Sequence, residues 1–126
     1  MPWNSTDLDR FARPDEIRVA PDRGDGTTGP AVIVWAVEHG GDLYVRSARG
    51  PEGGWYRRAL ASGHGRILAA GTELAVTFVD VGAPELADHA AIDAAYRAKY
   101  RRYGRTVDSV SGDAAHRVTV RINPAE

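Results

Sequence analysis

AVIVWAVEHGGDLYVRSA, residues 31–48, decides how the chain folds. Ala31 to Val37 is apolar at every position, so both faces need cover, and the spacing predicts one continuous central strand over 31–38. His39-Gly40-Gly41-Asp42 is a tight hairpin signal. It leads into Leu43 to Ala48, where Leu43 and Val45 face opposite to Tyr44 and Arg46. Two strands joined by so short a turn are antiparallel, which points away from a doubly wound α/β chain and towards a meandering sheet.

Working outward, Glu16 to Ala20 alternates polar and apolar, with Ile17 and Val19 on one face, and reads as a strand. Before it, Leu8, Phe11 and Ala12 recur at helical spacing behind Ser5 or Thr6, and Pro14 ends this short N-terminal helix. Pro21 to Pro30 is a loop by composition. Downstream, Trp55 to Leu60 is either a helical turn or a strand, which periodicity does not settle, and the helical turn is the preferred reading. Arg66 to Ala70 and Glu73 to Val81 form a second hairpin with Leu74, Val76 and Phe78 on one face. The period then becomes helical. Ile92, Tyr96, Tyr100 and Tyr103 fall in one narrow arc of a helix near 88–103, predicted to be buried, and Gly104 stands at its C-terminal cap position. His116 to Ile122 closes the chain as a strand with Val118, Val120 and Ile122 inward. The sum is six antiparallel strands, at 16–20, 31–38, 43–48, 66–70, 73–81 and 117–122. They form a mainly β split barrel with a short N-terminal helix and a long helix before the last strand. The 126 residues suit a single domain spanning 1–126.

Composition excludes several chemistries. There is no cysteine, so disulfides, thiolate-bound metals and a cysteine nucleophile are ruled out. His39, His64, His89 and His116 lie far apart with no ligand spacing, and no metal site is expected. Phosphate-loop, dinucleotide and serine-hydrolase signatures are missing. The N-terminus has no basic start followed by an apolar run, and no segment approaches the roughly 18 apolar residues of a membrane span. A cytoplasmic protein without membrane contact is the expectation.

The net charge of −1 conceals two basic blocks. Residues 97–105 carry five basic side chains and no acid, but the interleaved tyrosines share the apolar arc, so this block reads as a helix flank and not as a nucleic-acid surface. Residues 46–58 combine Arg46, Ser47 and Arg49 at a strand end with a glycine-rich turn and Trp55, Arg57 and Arg58. Such a loop can hold a phosphate by charge-assisted and backbone N–H hydrogen bonds while an aromatic flanks a ring. The competing reading is a core Trp55 with solvated arginines.

Several strings carry a family resemblance: Leu43-Tyr44-Val45-Arg46-Ser47, Gly54-Trp55-Tyr56-Arg57, Gly65-Arg66-Ile67, Val76-Thr77-Phe78, and above all Ile92-Asp93-Ala94-Ala95-Tyr96-Arg97-Ala98-Lys99-Tyr100. Over nearly the whole chain the sequence resembles the bacterial domain of unknown function 2255 family. Its element order is similar to that of split-barrel flavin-binding proteins, and within them to deazaflavin-dependent, nitroreductase-like proteins. The resemblance implies a site for FMN or a deazaflavin coenzyme, with Arg46, Ser47, Arg49 and Arg57 on the phosphate, Arg58 nearby and Trp55 closing the wall. It also implies a homodimer with the ligand at the subunit boundary, to which the apolar strand bearing Trp35 adds a physical motive. Where those relatives carry a Gly-Arg-Lys-Ser-Gly-type loop, this chain has Arg23-Gly24-Asp25-Gly26-Thr27-Thr28-Gly29. The Asp25 carboxylate opposes a phosphate if it lies within about 6 Å. Three functions follow: an oxidoreductase using such a cofactor, a non-enzymatic module binding another anionic small molecule in the same pocket, and a dimeric interaction module with no pocket chemistry, which would show exposed basic loops and no cavity.

Overall fold

The computed structural model describes residues 3–125. In chain order the elements are helix α1 (Ser5–Ala12) and strands β1 (Ile17–Pro21), β2 (Val32–Val34), β3 (Ala36–His39) and β4 (Asp42–Arg46). Then come helix α2 (Gly54–Ser62), strands β5 (His64–Ala69) and β6 (Thr72–Asp80), helices α3 (His89–Lys99) and α4 (Asp113–His116), and strand β7 (Thr119–Pro124). Gly50–Glu52 and Arg101–Val110 are 3-10 helix. The strands form one antiparallel sheet in the order β2-β1-β5-β6-β7-β4-β3. Its two end strands, β2 and β3, are consecutive in the chain and separated only by Trp35, so the ends of the sheet meet and it nearly closes into a barrel. Among the described residues no helix is long and apolar enough to cross a membrane.

The expected six strands are seven because the expected 31–38 strand breaks at Trp35. The cause lies in the helix that follows. Tyr96 Oη donates to the Trp35 carbonyl at 2.7 Å, Ala36 N donates to Tyr100 Oη at 3.2 Å, and Lys99 Nζ donates to the Ala36 carbonyl at 2.5 Å. Side chains of α3 and the residue after it thus satisfy backbone groups that a sheet partner would otherwise take, and the strand can turn away without leaving them unpaired. β2 stays on β1, with Ile17 opposite Val34, while β3 pairs with β4, with Ala36 opposite Val45. Nor is this strand central and covered on both faces. Ile33 is 52% exposed, because β2 has a neighbour on one side only.

Alternation along the strands divides the apolar side chains between two cores. Val19, Leu43, Val45, Ile67, Val120 and Ile122 fill the barrel together with Leu8 and Phe11 of α1 and Trp55 and Tyr56 of α2. On the outer face, Val37 and Tyr44 pack with Ile92, Tyr96 and Tyr100. Arg46 follows Tyr44 by two residues and so also lies on that outer face, beneath α3. The helix is shorter than its periodicity implies. Asp88 caps it through a hydrogen bond to Ala91 N, α3 ends at Lys99, and α4 intervenes before the last strand. Tyr103 therefore leaves the buried arc. It is 38% exposed, tilts against Trp35 at 4.9 Å and donates to Asp15 at 3.0 Å. Trp35 itself stacks on Tyr100, with ring centroids 4.2 Å apart.

Lys99 is half-buried in this junction, donating to the carbonyls of Ala12 and Ala36, and burial pushes its ammonium down from 10.5 to about 8. Between those values the unfolded chain holds a proton that the folded chain has released, so stability should rise with pH across that window. In urea unfolding from pH about 7 to about 9.5, the wild type should gain on Lys99→Gln, which lacks this titration. Midpoints that move in parallel would contradict a desolvated ammonium.

Candidate functional site

The break at Trp35 leaves a split in the barrel. One lip is β2 with Trp35; the other is the end of β4 with residues 47–49. A cavity of about 480 Å³ occupies this split, within the range of small-molecule sites. Val32, Ile33, Val34 and Trp35 form one wall, Arg46 to Arg49 face them, and Gly53, Gly54, Trp55 and Arg58 contribute from the start of α2. Thr106, Ser109 and Val110 complete the lining from the 3-10 segment.

The structure brings five of the six residues singled out from the sequence to this cavity, and they differ in what they can offer. Arg49 is exposed at the rim, and among the described residues neither it nor Arg58 forms a salt bridge. Arg58 is half-buried, and its Nε is buried without a hydrogen-bond partner. Trp55 lines the cavity and also packs edge-on against Tyr56 in the barrel core, so a core position does not keep it off the cavity wall. Ser47 is buried and its hydroxyl is committed, donating to the Gly50 carbonyl at 2.7 Å. It shapes the turn. A Cβ at Gly53 would stand 2.5 Å from Ser47 Oγ, so glycine lets the chain pass close by and enter α2 with its first N–H groups free. Arg57 is exposed and does not line the cavity.

Arg46 lies at the inner end of the cavity with its side chain fully buried, and its charge is already engaged. Nη1 meets Asp93 Oδ1 at 2.5 Å and the Val110 carbonyl at 2.9 Å, and Nε donates to Thr119 Oγ1 at 2.9 Å. The other Asp93 oxygen is 2.8 Å from His116 Nε2, and Gly112 N donates to Oδ1. Burial alone would raise the Asp93 carboxyl. Hydrogen bonds from His116 and Arg46, with the Arg46 charge, outweigh it and hold the group below its usual value of 3.8. The pair is thus a fixed ionic bolt between β4 and α3, and Arg49 and Arg58 remain as the cations open to a ligand.

Sequence reasoning missed the wall from Val32 to Trp35 as a lining surface and Thr106, Ser109 and Val110 altogether. The only available signal for the first was a tryptophan inside an apolar strand; the second follows Gly104 in a stretch with no motif. Asp25 caps its own turn, accepting from Thr27 N and Oγ1, which lower its pKa and keep it ionised. It does not line the cavity.

Comparison with known proteins agrees with this architecture. No curated protein matches the chain. Six chains of solved structures do, among them an F420 reductase, with a TM-score of 0.53 at 15% identity over 94% of this chain and 93% of that one. At that identity the likeness speaks for the fold. A family model described as uncharacterized protein conserved in bacteria matches residues 7–122, and on that match the chain belongs to this bacterial family, DUF2255.

Proposed function

We propose that the cavity in the barrel split binds a flavin or deazaflavin coenzyme and that the chain is an oxidoreductase using it. The observation that carries this reading is the pairing, in one cavity, of an apolar aromatic wall with uncommitted cationic groups. Trp35, Trp55 and Val32 to Val34 suit a flat ring system; Arg49, Arg58 and the N-terminal N–H groups of α2 suit a phosphate. Arg58 lines the cavity half-buried and, among the described residues, without a salt bridge, so its guanidinium is a cation that an anionic ligand oxygen would neutralise. The similar solved structure bears the name F420 reductase, which is in keeping with a deazaflavin in this fold. When bound, the coenzyme supplies the hydride chemistry. The residues of this chain hold the ring between the lips of the split, exclude water from one face of it and neutralise its phosphate.

A second reading has its own support. Among the described residues lining the cavity there are arginines and hydroxyls but no carboxylate or imidazole to act as acid or base, which suits a module that only binds an anionic small molecule. The absorbance spectrum of the purified protein, then its spectrum after addition of FMN or the deazaflavin coenzyme, separates the two: a bound chromophore supports the coenzyme, and saturable binding of a colourless anion alone supports the module.

A homodimer belongs to the same proposal. Ile33, on the outer lip of the split, is a large apolar side chain left mostly in water, and a second copy would cover it beside the ligand. Light scattering at micromolar concentration should return twice the 13.6 kDa chain mass, and Ile33→Lys should shift it towards the monomer. A monomeric wild type would contradict the dimer.

A further inference from the structure

We propose that residues 105–111 form a hinged strap that opens independently of the barrel and controls access to the cavity. The segment is bounded by two glycines with left-handed φ, Gly104 at 59° and Gly112 at 92°. Each is a position where the chain can swing with little steric penalty. Between them the chain pairs with no strand, and Arg105, Thr106, Asp108 and Ser109 are exposed. Its inner side forms one wall of the cavity through Thr106, Ser109 and Val110.

Few fastenings hold it. Val107 and Val110 are buried against the α3 side of the sheet, Arg46 Nη1 donates to the Val110 carbonyl, and Asp93 accepts from Gly112 N at 3.3 Å. Ser109 and Ser111 bond only within the segment, to the Thr106 and Val107 carbonyls. Segments with so few buried contacts open at lower free energy than the core they rest on. The latch is therefore Arg46, whose guanidinium is anchored from the far side by Asp93 and reaches both the cavity and the strap. Thr106, with a side chain on the cavity wall, becomes a ligand contact when the strap is closed. The inference rests on the coenzyme reading only for what lies beneath the strap; the opening is a property of the free chain.

The absence of cysteine makes the test direct. Val110→Cys places a thiol on the buried inner side of the strap, and Val120→Cys places one in the barrel, where the native side chains are 2% and 0% exposed. Under native conditions a thiol reagent should label Val110→Cys at least about tenfold faster than Val120→Cys, which is reached only by global opening. Equal rates would overturn the strap. If either variant fails to fold, hydrogen exchange on the wild type gives the same comparison between amides 105–111 and those of β7. FMN at a concentration that quenches tryptophan emission should slow labelling of Val110→Cys; quenching with unchanged labelling would overturn the strap's control of access. Fast labelling of Val110→Cys with no saturable binding of either FMN or the deazaflavin coenzyme would retire the coenzyme and leave the hinged strap standing.

Discussion

Replacing Asp93 by alanine should cost about 3–5 kcal/mol of folding stability, the loss typical of breaking a buried ion pair by removing one partner. Arg46 would be left with its guanidinium fully buried and only neutral acceptors, Thr119 Oγ1 and the Val110 and His89 carbonyls, around it. The hydrogen bonds to Gly112 N and His116 go with the same carboxylate. The sign with pH follows from the lowered pKa of Asp93. Its contribution is complete above the ordinary value of 3.8 and is lost as pH falls through the lower folded value, so the acid limb of the wild-type stability curve should be steeper than that of Asp93→Asn. Urea unfolding at neutral and acid pH measures both. A loss below about 1 kcal/mol, the range of exposed pairs, would mean that Arg46 reaches water.

Tyr96→Ala should cost a further amount of the same size, about 3–5 kcal/mol, because it empties a large aromatic site with no solvent exposure. The ring lies between the sheet and α3, stacked 5.9 Å from Tyr100, and its hydroxyl holds the Trp35 carbonyl at the strand break. Tyr96→Phe separates the two roles: it keeps the packing and should lose only about 1 kcal/mol, the net worth of one hydrogen bond. A Tyr96→Ala loss below about 0.5 kcal/mol, as for ordinary surface substitutions, would remove the tyrosine arc from the core. If Tyr96→Phe instead lost nearly as much as Tyr96→Ala, the hydroxyl at the break would stabilise the fold more than the packing of the ring does.

These residues also show where sequence was informative. The alternation from Leu43 to Arg46 correctly separated a barrel-facing pair from a helix-facing pair, and Ile92, Tyr96 and Tyr100 were legible as one buried arc because local periodicity reports burial directly. The break at Trp35 was not legible. It depends on hydroxyl groups 61 to 64 residues away, and nothing in an apolar run marks which carbonyl a distant tyrosine will take. Tyr103 fits the helical arc in sequence but follows the end of α3, where the backbone changes to 3-10 geometry. At the candidate site, composition located the loop bearing Arg46, Ser47, Arg49, Trp55 and Arg58. It could not tell a free arginine from one already neutralised, because the Arg46 partner, Asp93, lies 47 residues downstream.

The most direct test of the coenzyme site is a titration of FMN and of the deazaflavin coenzyme into the wild type, Arg49→Ala, Arg58→Ala and Arg57→Ala, read by quenching of the tryptophan emission, to which the cavity residues Trp35 and Trp55 contribute. Saturable binding to the wild type is expected. Loss of Arg49 or Arg58 should weaken it by about 1.5–3 kcal/mol each, the range for hydrogen bonds to charged groups. Arg57→Ala, off the cavity lining, should bind like wild type. Asp25→Asn should change little, since Asp25 is turned into its own loop. Absence of saturable binding for both coenzymes, or binding that ignores the loss of Arg49 and Arg58, would contradict the assignment of the barrel split as a coenzyme site.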